Sequence, residues 1–160
     1  MTTSLVVRNL LFTLVVPGVG AVALPWWILT HGGRAPVATQ WYSAGVTVAG
    51  GALYLACVWA FAVIGRGTPG PWDPPRHVVA VGPYRWVRNP IYVSALLVVL
   101  GEAWLFVSRS LLIYASVMAI VFHLFVVGYE EPALRRAFGQ TYVQYTGRVR
   151  RWFPWPVQHT

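Results

Sequence analysis

The chain has 160 residues, 57 % of them hydrophobic and 10 % charged, and a formal net charge of +8 carried wholly by arginine. Soluble domains average roughly 45–50 % apolar and about 25 % charged residues, so an ordinary soluble domain is excluded. The apolar residues form long runs, which also excludes the ten-residue alternating segments of an outer-membrane barrel.

The arginines flank the apolar runs, as the positive-inside rule requires, and this argues against a nucleic-acid surface. Cys57 is the one cysteine, so no disulfide or cysteine metal cluster forms within one chain. The fold class expected is an all-α integral membrane protein, with about four transmembrane helices and a C-terminal amphipathic cytoplasmic helix. Length implies a single membrane domain over residues 1–160.

In chain order, the first span is expected over about 5–29. It is interrupted by Pro17-Gly18-Val19-Gly20 and by Pro25, which membrane helices tolerate with a kink. It reads as a retained first span and not as a cleaved signal. His31 to Pro36 is a loop. The second span covers about 41–64, where Gly45, Ala49, Gly50, Gly51 and Ala52 allow close approach of another helix. The stretch Gly65–Asn89 is long, polar and rich in Gly, Pro and Arg, and loops of this length are often functional. A third span follows over about 90–107, with proline well placed at its first turn. After a turn at Ser108-Arg109-Ser110 comes a fourth span over about 110–128. Leu134, Phe138, Tyr142 and Tyr145 then recur at helical spacing, which predicts an amphipathic helix at the membrane surface. The tryptophans mostly flank the spans, as an aromatic belt does, and Arg150-Arg151-Trp152-Phe153-Pro154-Trp155 supplies interfacial charge and anchors.

With four spans, ten arginines fall on one side, and Arg34 and Arg109 on the other. Both termini are therefore expected in the cytoplasm. Two polar clusters bracket the last hairpin: Arg88-Asn89-Pro90-Ile91-Tyr92 opens it and Tyr129-Glu130-Glu131 closes it. Each arm of about twenty residues rises about 30 Å, the thickness of the hydrocarbon core, so the clusters should meet at one membrane face. Two of the four acids in the chain lie there. The plain reading of Glu130-Glu131-Pro132 is a helix start favoured by the dipole. The alternative is a pocket of acids and amides that suits a ligand carrying a cation and hydrogen-bonding edges. Glu102, inside the third span, is either a functional intramembrane acid or bonded across the hairpin near Ser116. His123 is read as bonded to a neighbouring helix, with lining of a substrate path as the alternative. No two histidines have metal-ligand spacing, so no metal is expected.

Gly82-Pro83-Tyr84-Arg85-Trp86-Val87-Arg88-Asn89-Pro90-Ile91-Tyr92, the apolar hairpin and Glu130-Glu131-Pro132-Ala133-Leu134 together resemble a known signature. It belongs to the isoprenylcysteine carboxyl methyltransferases and their bacterial and phospholipid methyltransferase relatives. Phe138-Gly139-Gln140-Thr141-Tyr142 and Val149-Arg150-Arg151-Trp152-Phe153-Pro154 also look like the family's C-terminal pattern, so the resemblance covers about residues 76–156. It implies a membrane methyltransferase dependent on S-adenosyl-L-methionine, acting on a lipophilic acceptor: an isoprenylcysteine-like carboxylate or thiol, or a phospholipid amine. By match, Arg88, Asn89, Pro90, Tyr92, Glu130 and Glu131 are cofactor-binding candidates, followed by Leu134, Tyr142 and Tyr145. Asn89 stands where the family usually has histidine, although phospholipid methyltransferases also read Asn-Pro there. The implied partners are a lipid substrate and membrane lipids, and the implied location is a bacterial inner membrane. The alternatives are a sterol-reductase-like enzyme using NADPH and a non-enzymatic membrane scaffold.

Overall fold

A computed structural model describes residues 13, 15, 17–31, 37–62 and 78–154. The start of the first expected span, Arg8, Arg34 and residues 63–77 with Arg66, Trp72, Arg76 and His77 lie outside the described residues. Those described are helical apart from short linkers, and none forms a strand; a single isolated bridge joins Val87 and Arg150.

Five helices follow in order. Helix α1 is Val19–His31 and α2 is Trp41–Ala60. A 3-10 turn at Gly82–Arg85 leads into α3, Pro90–Leu105. Helix α4 is Arg109–Phe125, and a π turn at Val126–Glu130 joins it to α5, Glu131–Arg148. Helix α2 and the 40-residue run Arg109–Arg148 are long and apolar enough to cross a membrane, while α1 and α3 are apolar but shorter.

Proline explains two π turns among the described residues, Val19–Ala23 and Val126–Glu130. Pro25 and Pro132 cannot donate to the carbonyl four residues back, and each helix widens just before its proline. The amide of Leu24 closes one turn on the Val19 carbonyl, and that of Glu131 closes the other on Val126. The chain therefore passes from α4 into α5 without the loop that a separate surface helix would need. The break in α5 comes later, at Gly139, whose φ of 52° and ψ of −127° are open to glycine and strained for other residues.

Helix α3 is the centre of the packing, against α2, α4 and the π turn of α1. Its contact with α2 rests on two glycines facing opposite ways. A Cβ on Gly50 would meet the Val98 amide at 2.8 Å and the Ser94 carbonyl at 2.9 Å. One on Gly101 would meet the Thr47 amide at 2.6 Å and also its hydroxyl. Gly45 and Gly51 touch nothing, so only Gly50 of the expected small-residue stripe is at the crossing. Ala21, Val99, Ala115 and Met118 form a core between α1, α3 and α4. Cys57, Ala60, Val79 and Tyr84 form another between α2 and the segment before α3.

The end of the bundle opposite the polar clusters is tied off by backbone. Thr39 and Gln40 amides donate to the Leu105 carbonyl at 2.9 and 3.3 Å, satisfying a helix terminus that lipid would leave bare. Ser108 caps α4 by accepting from the Leu111 amide at 3.3 Å, and the turn lies at Phe106-Val107, just before the expected Ser108-Arg109-Ser110. The expected bond from Glu102 to Ser116 is not made. Ser116 donates within its own helix to the Leu112 carbonyl, and Glu102 Oε2 is buried with no partner among the described residues.

Candidate functional site

The sequence places Pro90 at the first turn of α3, so the helix does not continue back through the elbow. Asn89 there has φ −124° and ψ 51°, outside the helical region, and the elbow's polar groups must find partners elsewhere. Glu130 and Glu131 occupy the junction of α4 and α5, where the π turn adds a residue to the helix. These two features meet. Tyr92 Oη donates to Glu130 Oε2 at 2.8 Å, and Arg88 Nη1 donates to Glu131 Oε1 at 2.9 Å. The hairpin thus brings its two polar ends together, as arms of matched length require.

Beside this junction lies a cavity of about 390 Å³, within the range of small-molecule sites. Eight of the nine candidate residues line it: Arg88, Asn89, Tyr92, Glu130, Glu131, Leu134, Tyr142 and Tyr145. The ninth, Pro90, is fully buried and does not; it starts α3 and sets the elbow. The stripe Leu134, Phe138, Tyr142, Tyr145 that predicted a surface helix faces this cavity. The kink at Gly139 turns the second half of α5 so that Tyr145 Oη reaches the Tyr84 carbonyl at 2.7 Å.

The two glutamates sit in different surroundings. Glu131 accepts Arg151 Nε at 2.7 Å on one oxygen and Arg151 Nη2 at 2.8 Å on the other, in addition to Arg88. Burial works to raise its pKa, but the Arg151 hydrogen bonds and the charges of Arg88, Arg151 and Arg135 outweigh it and hold the carboxyl below its ordinary range. Glu130 has no arginine partner among the described residues. Burial pushes its pKa up, and neighbouring Glu131 adds to this, against the lowering effect of the Tyr92 hydroxyl. One acid is neutralised and the other is available.

The rest of the wall is aromatic and apolar, including Phe61, Tyr84, Phe125 and Tyr129, which the sequence reading did not nominate. Tyr84 Oη and Arg88 Nε are buried without a hydrogen-bond partner among the described residues. Arg151 was also missed as a site residue, being read as an interfacial charge. His123 does not line the cavity; its Nδ1 accepts Trp152 Nε1 at 3.2 Å, so its partner is the C-terminal tail and not another span. The described residues contain no group of His, Cys, Asp or Glu able to hold a metal ion.

The profile of the phospholipid methyltransferase family matches residues 39–141, from the start of α2 through the first half of α5. The chain belongs to the phospholipid methyltransferase family. The match contains both polar clusters and the whole hairpin between them, and a phospholipid methyltransferase is an enzyme of the membrane. It stops short of Tyr142, Tyr145 and Arg151, which therefore rest on the structure of this chain alone. No curated protein and no solved structure matches the chain.

Proposed function

We propose that this protein transfers a methyl group from S-adenosylmethionine to a lipophilic acceptor at the cytoplasmic face of a membrane. One observation carries the reading: Glu130, a carboxylate without an arginine partner among the described residues, opens onto an aromatic cavity built from the ends of an apolar hairpin. When bound, the cofactor supplies a methyl group already activated on a sulfonium, so the chain need only bind, align and exclude water.

The donor set fits that ligand. Glu130 offers a negative charge to a sulfonium or ammonium, favourable at short range. Tyr92, Tyr142 and Tyr145 offer aromatic faces, each worth about 0.5–2 kcal/mol to a cation. Arg88 Nε, buried without a hydrogen-bond partner among the described residues, is a donor suited to a carboxylate or ribose oxygen. Leu134 and Phe138 supply apolar wall for a base. NADPH fits less well. Arg88 is the one arginine among the described lining residues, and its charge is already shared with Glu131, so an extra phosphate would meet no second guanidinium among them.

The acceptor is placed on the lipid side. Phe125 and Tyr129 stack at 5.2 Å, line the cavity and remain 38 % and 52 % exposed, a surface compatible with lipid chains and not with bulk water. We read α1 to α4 as four spans, with the shorter α1 and α3 accommodated by local thinning of the bilayer, and with both termini in the cytoplasm. The arginines around the cavity, against Arg109 at the far end, support that orientation. The test is transfer of a tritiated methyl group from the donor to lipid extract by the protein in nanodiscs. Label should enter the organic phase with wild type and fall at least about tenfold in Glu130→Gln, because a hydrogen bond to a charged group is worth about 1.5–3 kcal/mol. Equal incorporation by the variant would overturn the role of Glu130, and none by wild type would overturn the reading.

A further inference from the structure

The segment after α5 does not trail off. Val149 to Trp152 runs back beside the elbow before α3, and Arg150 and Arg151 bond to it. Val87 and Arg150 form a parallel bridge. The Arg88 amide donates to the Arg150 carbonyl at 2.8 Å, and Asn89 Nδ2 donates to the Arg151 carbonyl at 3.2 Å. The Arg151 side chain then forks onto both oxygens of Glu131. Trp152 lies edge-on to Tyr92 at 6.5 Å between ring centres and is held by His123. One short segment thereby joins the elbow, α3, α4 and the start of α5.

None of these tail residues lines the cavity. Those they hold, Arg88, Asn89, Tyr92 and Glu131, all do. The segment is therefore placed behind the wall and does not close the mouth. Bidentate pairing fixes orientation as well as distance, and Arg151, at 31 % side-chain exposure, is anchored where a purely interfacial arginine would be free. The Glu131 hydrogen bonds raise the pKa of Arg151 further, against a smaller effect of burial.

We propose that the C-terminal segment is a brace for the donor site and that Arg151 is its positioning residue. It acts through Glu131 and the Arg88-Asn89 elbow and touches no ligand. Glu131 is then the anchor of the brace, while Glu130 meets the donor. This rests on the proposed methyltransferase reading. Displacing catalytic walls by a fraction of an ångström weakens binding well before it unfolds a protein.

The experiment uses the full chain in nanodiscs with Arg151→Ala, Arg151→Lys and, as a surface control, Arg136→Ala. Two readouts are taken: methyl-transfer kinetics, and hydrogen exchange across 84–92, where the Arg88 amide bond to the tail is reported. The brace predicts a KM for S-adenosylmethionine raised about tenfold in Arg151→Ala, with kcat within about threefold and the acceptor KM unchanged. Exchange over 84–92 should quicken, Arg151→Lys should fall between, and Arg136→Ala should match wild type. A purely structural role would lower the amount of active enzyme, hence apparent kcat, at unchanged KM, and that result overturns the proposal. So does unaltered exchange in Arg151→Ala. If wild type transfers no methyl group, the functional reading fails on its own, while hydrogen exchange still decides whether the tail braces the elbow.

Discussion

Glu130 and Glu131 are adjacent in sequence and opposed in chemistry, which gives a pH dependence with a definite sign. In the proposed reading, donor binding needs Glu130 ionised. Its pKa is raised by burial, so donor affinity should fall as pH drops through a range above the ordinary carboxylate value. The pKa of Glu131 is lowered in the folded state. Its stabilising contribution is fully present above the unfolded value near 4.5 and is lost only as pH falls through the lower folded value. Acidification should therefore abolish donor binding before it unfolds the protein. Titrating donor affinity and melting temperature on the same samples checks this, and coincident losses would contradict it. Glu131→Ala leaves Arg88 and Arg151 without their carboxylate and is expected to destabilise by about 1.5–3 kcal/mol, read as a lower melting temperature. The sequence made the acid doublet visible because acids are so rare in this chain. It could not divide the two roles, because the partner that separates them, Arg151, lies twenty residues away beside a tryptophan. That composition looks the same whether the arginine meets a lipid phosphate or a buried carboxylate.

Helix boundaries were legible where polar punctuation flanks apolar runs. The elbow at Pro90 and the hairpin turn near Ser108 fall close to their expected positions. Interruptions inside helices were legible only in part: one was expected at Pro25, but not its form. Pro25 and Pro132 produce π turns, because the missing amide is absorbed by widening the helix over one turn. Gly139 produces a break that the apolar stripe of α5 hides, since residues on both sides of it face the same cavity. Gly139→Ala should cost of order 1–3 kcal/mol for its backbone conformation and draw Tyr145 off the Tyr84 carbonyl. A melting-temperature loss with weakened donor binding is expected, and an unchanged protein would show that the break is incidental. Gly101 was invisible for a different reason: one glycine in an apolar run carries no pattern. A Cβ there meets the Thr47 backbone, which cannot swing aside as a side chain would. Gly101→Ala should therefore destabilise by about 1–3 kcal/mol, whereas Gly45→Ala, facing open space, should not.

For the molecule as a whole, the reading is of a bundle whose two ends differ in kind, one tied off by backbone and one carrying a polar cavity. Orientation follows from charge and is open to labelling, because Cys57 is fully buried and gives little background. In intact cells, an impermeant maleimide should modify Arg109→Cys and spare Arg136→Cys until the membrane is opened; the reverse pattern would invert the topology. The pairing of the two hairpin ends was foreseeable from equal arm lengths, and a pocket between them from the acids and amides they carry. The tail's return was not, since nothing in its composition names a partner. The most direct measurement is binding of S-adenosylhomocysteine to the protein in nanodiscs by calorimetry, with NADPH in parallel. Saturable binding of S-adenosylhomocysteine at one site per chain, weakened at least about tenfold in Glu130→Gln, with NADPH inert, is the predicted result. Binding of NADPH alone, or of neither compound, would contradict the account.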